Sequence, residues 1–158
     1  MKLLIVSDTH LSSGEELPPL LVEAMKGCDL IVHLGDFTAV AVADYLATLG
    51  PLAAVCGNMD DRQVRERFPT RAELTIGPYR VALLHGDQGG RTALEAARGA
   101  RADIVLFGHS HQPMIRRESG KLLFNPGSPT RRRFAPAHTY GVLTINDGVH
   151  ADLITLSS

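Results

Sequence analysis

Several short apolar runs of the sequence end in residues whose side chains can bind metal ions. These residues lie between positions 8 and 111. The run KLLIVSDTH ends in Asp8 and His10, and the run IVLFGHSH ends in His109 and His111. Three further runs lead into residues with oxygen or imidazole donors: Asp36, Asn58 and His85. Such donors without thiolates suit manganese, iron, nickel, cobalt or zinc rather than a structural zinc site. The pattern therefore predicts a metal centre.

The number and spacing of these side chains favour two metal ions over one. Asp8 and His10, like His109 and His111, are separated by one residue. On a strand-like backbone such pairs face the same side. Together with the remaining donors, the two pairs supply more ligands than a single ion uses. We therefore expect two ions that share one carboxylate.

Each of these residue types also has a purely structural interpretation. Asp8 and Asn58 are common in turns, and His10 suits a loop. Asp36 precedes a helical pattern and can cap that helix. Capping does not exclude metal binding, so both interpretations stay open for Asp36.

The elements that position these residues follow from the same apolar runs. Five runs are short, branched and bounded by glycine or acidic residues, which is typical of buried strands: KLLIVSD, LIVHLGD, LAAVCGN, RVALLHGD and DIVLFGH. Helical patterns lie over 16–27, 38–49, 60–68 and 91–98. Because ligands gather at the carboxyl ends of strands in open α/β sheets, the donors are expected to meet at one rim.

The last third of the chain predicts antiparallel hairpins. The segments MIRRESGKLLFN and TYGVLTINDGVHADLITL each contain two strand patterns around a glycine-containing turn. We find no internal repeat, low-complexity tract or linker-like stretch. The sequence thus predicts a single α/β domain over residues 1–158 with mixed sheets.

Composition limits the classes of function. The chain has 158 residues, of which 44% are hydrophobic and 21% charged, enough for one globular core. The formal net charge of −1 argues against broad nucleic-acid or membrane binding. The first ten residues have no signal-peptide core, so we expect a cytoplasmic protein. Cys28 and Cys56 form no metal-binding pair and are predicted to be buried hydrophobes.

The donor residues, taken in order, resemble the motif series of calcineurin-like metallophosphoesterases. The matching segments are Asp8-x-His10, Gly35-Asp36, Gly57-Asn58 followed by Asp60, His85-Gly86, and Gly108-His109-Ser110-His111. The segment NPGSPTRRR, residues 125–133, is similar to the Asn-Pro-Gly-Ser segment of the small YfcE-like phosphodiesterase branch. The resemblance covers nearly the full chain and implies a four-layer αββα sandwich with a dinuclear metal site.

The resemblance also implies a role for each donor. The first metal would be held by Asp8, His10, Asp36 and His111, and the second by Asp36, Asn58, His85 and His109. Asp36 would bridge, and Asp36, Asn58 and His85 would act in catalysis through the metals and a bridging hydroxide. Ions about 3.5–4 Å apart acidify a shared water, which then attacks phosphorus. Manganese is the metal we favour, with nickel, iron, cobalt and zinc as alternatives.

Two classes of function follow from the resemblance. The first is a hydrolase for phosphodiesters or small phosphorylated metabolites. The second is a non-catalytic protein-binding scaffold, because the same fold resembles the retromer subunit that uses a phosphoesterase-like body for protein contacts. A competent ligand type fills every metal position, which favours the enzyme. A homo-oligomer is possible in either case.

Residues next to the motifs need separate interpretation. His33 is predicted to be a core histidine or a partner of a ligand rather than a ligand. The run Arg131–Arg133 is predicted to lie in a solvated loop. From that loop, one arginine can reach a substrate phosphate. Met59 stands where many relatives carry a histidine that assists the leaving group. Asp60 can replace that histidine, although a helix cap is the simpler interpretation.

Overall fold

Two five-stranded mixed sheets and four α-helices make up the computed structural model, which describes residues 1–157. The strands are β1 Lys2–Val6, β2 Leu30–His33, β3 Leu52–Ala54, β4 Arg71–Ile76, β5 Tyr79–Leu84, β6 Ile104–Leu106, β7 Met114–Glu118, β8 Lys121–Asn125, β9 His138–Ile145 and β10 Val149–Ser157. The helices are α1 Pro19–Lys26, α2 Val40–Leu49, α3 Arg62–Arg67 and α4 Ala93–Arg98, and a 3₁₀ turn spans Gly14–Glu16. Among these residues, none of the helices is long and apolar enough to span a lipid bilayer.

Each sheet has a parallel centre and antiparallel edges. The first has the order β10-β9-β1-β2-β3, in which β1, β2 and β3 are parallel. The second has the order β4-β5-β6-β8-β7, in which β5, β6 and β8 are parallel. Because the strands that carry the predicted donors are parallel within each sheet, their carboxyl ends lie at one edge of that sheet.

Alternation of side chains along the strands divides the core into layers. Leu3 and Ile5 pack against Val81 and Leu83 between the sheets, whereas Leu4 packs towards α1 and α2. A third apolar cluster joins the outer face of the second sheet to α4. The layers are therefore α1 and α2, the first sheet, the second sheet, and α4. This order confirms the four-layer αββα sandwich.

Local signals explain where the helices begin. Helix α1 begins at Pro19, later than the predicted residue 16, because proline lacks an N–H and fits the first helical position. The side chain of Asp61 accepts a hydrogen bond from the Val64 amide at 3.0 Å and so caps α3. Thr92 caps α4 in the same way.

The predicted hairpins are confirmed, but one strand was missed. Strands β7 and β8 pair antiparallel across Ser119 and Gly120, whose positive φ values fit a tight hairpin turn. Strand β4 has no predicted counterpart. It is an edge strand with alternating exposed and half-buried residues, so it lacks the continuous apolar run by which the other strands were found. Its alternation and the following Gly77 are the signals that reveal it.

Candidate metal centre

All of the predicted donors meet at one rim of the sandwich. Two groups offer ligand atoms that lie within 4.8 Å of one another: Asp8, His10 and His111 in the first, and Asp36, His85 and His109 in the second. Asn58 joins the second group, because its Oδ1 lies 3.0 Å from His85 Nε2. The loops that follow β1, β2, β3, β5 and β6 supply these residues.

The backbone of these loops differs from the expected strand-like conformation. Asp8, His10, His109 and His111 have φ values between 50° and 71°, in the left-handed region, as does Asp36. Strands β1 and β6 end at Val6 and Leu106, before the paired ligands. The expectation that the pairs sit on extended backbone is therefore wrong. Each pair converges because its two members share the same left-handed conformation, which is costly outside glycine and is concentrated at functional sites.

The first group contains buried polar atoms that have no hydrogen-bond partner among the described residues. These atoms are Asp8 Oδ1, His10 Nε2 and His111 Nε2. His111 Nε2 lies 3.5 Å and His10 Nε2 lies 3.9 Å from Asp8 Oδ1. Leaving a buried polar atom unpaired is costly. A cation at this position would satisfy all three, so the donors fit a divalent metal ion.

Asp36 lies between the two groups. Its Oδ2 is 3.5 Å from His10 Nε2 and 3.2 Å from His85 Nε2. Its Oδ1 accepts a hydrogen bond from the Met59 amide at 2.8 Å, which fixes the carboxylate plane. Oδ2 thus faces ligands of both groups, as the shared oxygen of a bridging carboxylate must.

Hydrogen bonds to the far ring nitrogens orient the histidines. His85 Nδ1 lies 2.8 Å from the carbonyl oxygen of Leu34, and His111 Nδ1 contacts that of Arg131. A carbonyl oxygen only accepts, so Nδ1 carries the proton in both rings and Nε2 points into the site. A hydrogen bond from the other ring nitrogen fixes the orientation of the imidazole and makes Nε2 a stronger metal ligand.

Burial and neighbouring charges set the protonation states. Burial raises the pKa of Asp8 to about 7 and lowers that of His10 to about 4. Burial is the largest single influence on His85 and Asp36 and opposes their charged forms, but their mutual hydrogen bond, the opposite charges around them and backbone hydrogen bonds together outweigh it, raising the pKa of His85 and lowering that of Asp36. His85 therefore compensates the carboxylates in the metal-free protein, while His10 is a neutral donor at pH 7.

His33 is excluded as a ligand by its own hydrogen bonds. Its Nδ1 accepts from the Gly35 amide at 3.1 Å, and its Nε2 lies 3.0 Å from Thr9 Oγ1. The ring is fully buried and stacks on Phe37 with a centroid distance of 3.5 Å. As predicted, His33 is a core histidine that supports the loops carrying the ligands.

Asp60 has a role that the sequence analysis missed. Its carboxylate accepts hydrogen bonds from the amides of Asp36, Gly57 and Thr38 at 2.7–2.9 Å. The proposed helix cap is wrong, because Asp61 caps α3. Asp60 instead ties the loop after β2 to the loop after β3. The sequence around Asp60 does not indicate this role. Two of the three amides that donate to its carboxylate lie 22 and 24 residues earlier in the chain.

Asp60→Ala is expected to destabilise the fold by about 3 kcal/mol, because it leaves buried amides unpaired. Asp60→Asn, which keeps acceptor capacity on one oxygen, should lose less. Urea unfolding of the metal-free proteins measures both changes. Equal stability of wild type and Asp60→Ala would contradict this role.

Close backbone approach explains one glycine of the motif series. A Cβ atom on Gly108 would lie 2.8 Å from Asp8 Oδ2 and would overlap the Ser7 side chain. Asp8 Oδ2 already accepts hydrogen bonds from Ser7 Oγ at 2.7 Å and the His109 amide at 2.9 Å. Only glycine leaves room for this arrangement.

The NPGS segment, residues 125–128, supports the ligand loops. Ser128 Oγ donates a hydrogen bond to the Asp8 carbonyl at 2.8 Å, and Asn125 Nδ2 donates to the Gly108 carbonyl at 3.2 Å. Sequence reasoning named this segment only by resemblance. Its contacts join the first and last motifs, which are a hundred residues apart in the chain.

The chain is similar to phosphoesterases along most of its length. It is 37% identical to a probable metallophosphoesterase of Methanothermobacter thermautotrophicus over 80% of this chain and 76% of the relative. It is 28% identical to the phosphodiesterase YfcE of Escherichia coli K12, over 90% of this chain and 87% of the relative.

A solved structure shows the same fold. Wild-type Vps29 of Entamoeba histolytica, determined in complex with zinc, superposes with a TM-score of 0.76 and 23% identity, over 98% of this chain and 99% of the other. The sequence model of the calcineurin-like phosphoesterase superfamily domain matches residues 1–148. The chain therefore belongs to the calcineurin-like phosphoesterase superfamily.

Proposed function

We propose that this protein is a dinuclear metal-dependent hydrolase of phosphodiesters or small phosphorylated metabolites. The observation that carries the proposal is the set of buried, unpaired ligand atoms on Asp8, His10 and His111. The names of the relatives, a probable metallophosphoesterase and a phosphodiesterase, support the same chemistry. Two divalent ions would polarise the phosphoryl oxygens and make water nucleophilic at neutral pH.

The protein's own residues hold that chemistry in place. We assign Asp8, His10, Asp36 and His111 to the first metal and Asp36, Asn58, His85 and His109 to the second. Burial lowers the pKa values of His10, His109 and His111, so their rings are neutral donors. Asn58 is exposed, so the second metal would be open to solvent on that side. Oxygen and imidazole donors suit manganese, which is the metal we propose.

A scaffold function has one observation in its favour, the similarity to Vps29. That protein was determined with zinc, so metal binding alone does not separate an enzyme from a scaffold. The complete and converging ligand set favours the enzyme, because a scaffold needs no shared carboxylate between two groups.

Metal stripping followed by re-addition tests the proposal. Manganese, nickel, iron, cobalt, zinc and magnesium are each added back, and activity is measured on matched phosphate monoesters and diesters. We expect activity to be lost on stripping and restored by manganese, with diesters among the substrates. A protein that binds two equivalents of each metal yet cleaves none of the esters would be a scaffold.

Chelation is expected to lower the melting temperature. A ligand that binds only the folded state stabilises it by about 4 kcal/mol when its concentration is a thousand times its Kd. For a chain of this size, that corresponds to a fall on the order of 10 °C. Calorimetry before and after verified metal removal measures it, with Asp8→Ala as the variant that should respond less. An unchanged melt would argue that the rim holds no metal.

A further inference from the structure

A loop with three arginines and an exposed phenylalanine is fastened to the rim of the metal centre. This loop, residues 129–134, begins directly after Ser128. Thr130 Oγ1 donates a hydrogen bond to the Thr9 carbonyl at 2.5 Å, and the carbonyl of Arg131 accepts one from the His111 ring. The backbone of Arg131 therefore lies one side chain away from a ligand atom of the first group.

Two of the three guanidinium groups have no partner among the residues that the structure describes. Within residues 1–157, no carboxylate lies within 4.0 Å of Arg131 or Arg133, and neither side chain donates a hydrogen bond. Arg132 differs, because it donates to the Ala135 carbonyl at 2.9 Å. Free guanidinium groups beside a phosphoesterase site suit a second phosphate, which they can bind through paired N–H donors.

Both free arginines belong to the loop that is tied to the ligand set. The hydrogen bonds of Thr130 to the Thr9 carbonyl and of the His111 ring to the Arg131 carbonyl hold this loop beside the first group of ligands. The two guanidinium groups therefore stand on a loop that borders the metal centre. Their charge is local, since the whole chain carries a net charge of −1.

Phe134 follows these arginines and is 96% exposed, the largest exposure among the exposed large hydrophobic residues. The next residue, Ala135, is buried and holds the end of the loop against the protein. Arg133 has a φ of 51°, a strained conformation for a non-glycine residue. An exposed aromatic ring next to cations is the arrangement on which nucleic-acid bases stack.

We propose that residues 131–134 bind the nucleotide next to the scissile phosphodiester, with its phosphate between Arg131 and Arg133 and its base on Phe134. The inference rests on the proposed hydrolase function and names its substrate class as short 5′-phosphorylated oligonucleotides, of which the dinucleotide is the smallest. In the reaction the oxygen of water bonds to phosphorus, and the bond from phosphorus to the ribose 3′ oxygen breaks. That oxygen takes a proton from solvent, and two mononucleotides result.

Paired substrates test the base contact. The metal-replete enzyme is given the 5′-phosphorylated adenylate dinucleotide and the same compound without the first base. We expect kcat/KM to be about tenfold higher with the base, as base stacking on an aromatic ring provides. Phe134→Ala should bring the ratio close to one. Leu20→Ala, which removes another exposed apolar side chain at 71% exposure, is the matched control and should keep the ratio.

The phosphate contact is tested in the same way. Removing the 5′ phosphate should lower kcat/KM for wild type about tenfold, and Arg131→Gln with Arg133→Gln should remove that preference. Arg101→Gln is the control, because Arg101 precedes β6, at the opposite end of that strand from His109. A preference that survives in the double variant would overturn the assignment of these arginines.

A binding readout separates this proposal from the hydrolase proposal. A methylphosphonate-linked dinucleotide resists hydrolysis, and its addition should shift the NMR signals of residues 131–135 in wild type. The inference fails if these signals stay unchanged and the base makes no difference, even though diesters are cleaved. It fails also if Phe134→Ala instead abolishes sedimentation with phosphatidylserine vesicles, since the loop then serves a membrane. Cleavage of no diester with any metal would instead overturn the hydrolase function.

Discussion

Asp36→Ala is expected to abolish hydrolysis, with a loss on the order of 10³-fold or more, and to lower the occupancy of both metal sites. Oδ2 of Asp36 faces His10 at 3.5 Å and His85 at 3.2 Å, so its removal takes a ligand from each group. The same change removes the acceptor of the Met59 amide, which loosens the loop after β3.

Comparison with Asp8→Ala makes this prediction specific. Asp8 shares the first group with His10 and His111, although its Oδ1 also lies 3.7 Å from His85 Nε2. Asp8→Ala should therefore reduce mainly one of the two metal equivalents. Metal analysis by mass spectrometry, with exposed Asp152→Ala on β10 as control, distinguishes the variants. If Asp36→Ala still binds two equivalents and turns over normally, Asp36 does not bridge.

Much of the fold was predictable because the central strands are buried on both faces. Runs such as KLLIV and IVL carry apolar residues without alternation, since one face packs on helices and the other on the opposite sheet. The edge strand β4 has only one half-buried face and was missed for that reason. The assignment of the whole chain to one domain stays a prediction.

The site was predictable in its members but not in its geometry. Residue types and their order pointed to all of the donors that the rim brings together. Neither type nor order reveals the left-handed backbone at Asp8 and His111, which depends on contacts across the rim. Asp60 shows the same limit, because its hydrogen bonds go to amides of two separate loops. Tertiary contacts of this kind leave no periodic signal in the sequence.

Strong dependence on the leaving group is expected of this enzyme. Met59 stands where the family resemblance implies a histidine that assists the leaving group, and its amide donates to the proposed bridging carboxylate at 2.8 Å. A side chain at this position thus starts beside the proposed metal centre, but a thioether cannot donate a proton. General-acid assistance is worth roughly 10²–10⁴ in rate. p-Nitrophenyl esters, whose leaving group needs no proton, should be cleaved faster than alkyl esters by a factor in this range.

The contacts of Asp60 argue against its acting as the general acid in place of the missing histidine. Asp60 is 4% exposed, and its carboxylate accepts hydrogen bonds from three amides, so it is buried and occupied as an acceptor. Met59 itself is 57% exposed, which leaves room for an imidazole. Met59→His should therefore raise alkyl-ester cleavage by up to about 10²-fold and leave p-nitrophenyl esters nearly unchanged. Met59→Gln, which donates a hydrogen bond but transfers no proton, should show little of this gain. Similar chemical rates for alkyl and p-nitrophenyl esters in wild type would mean that another group supplies the proton.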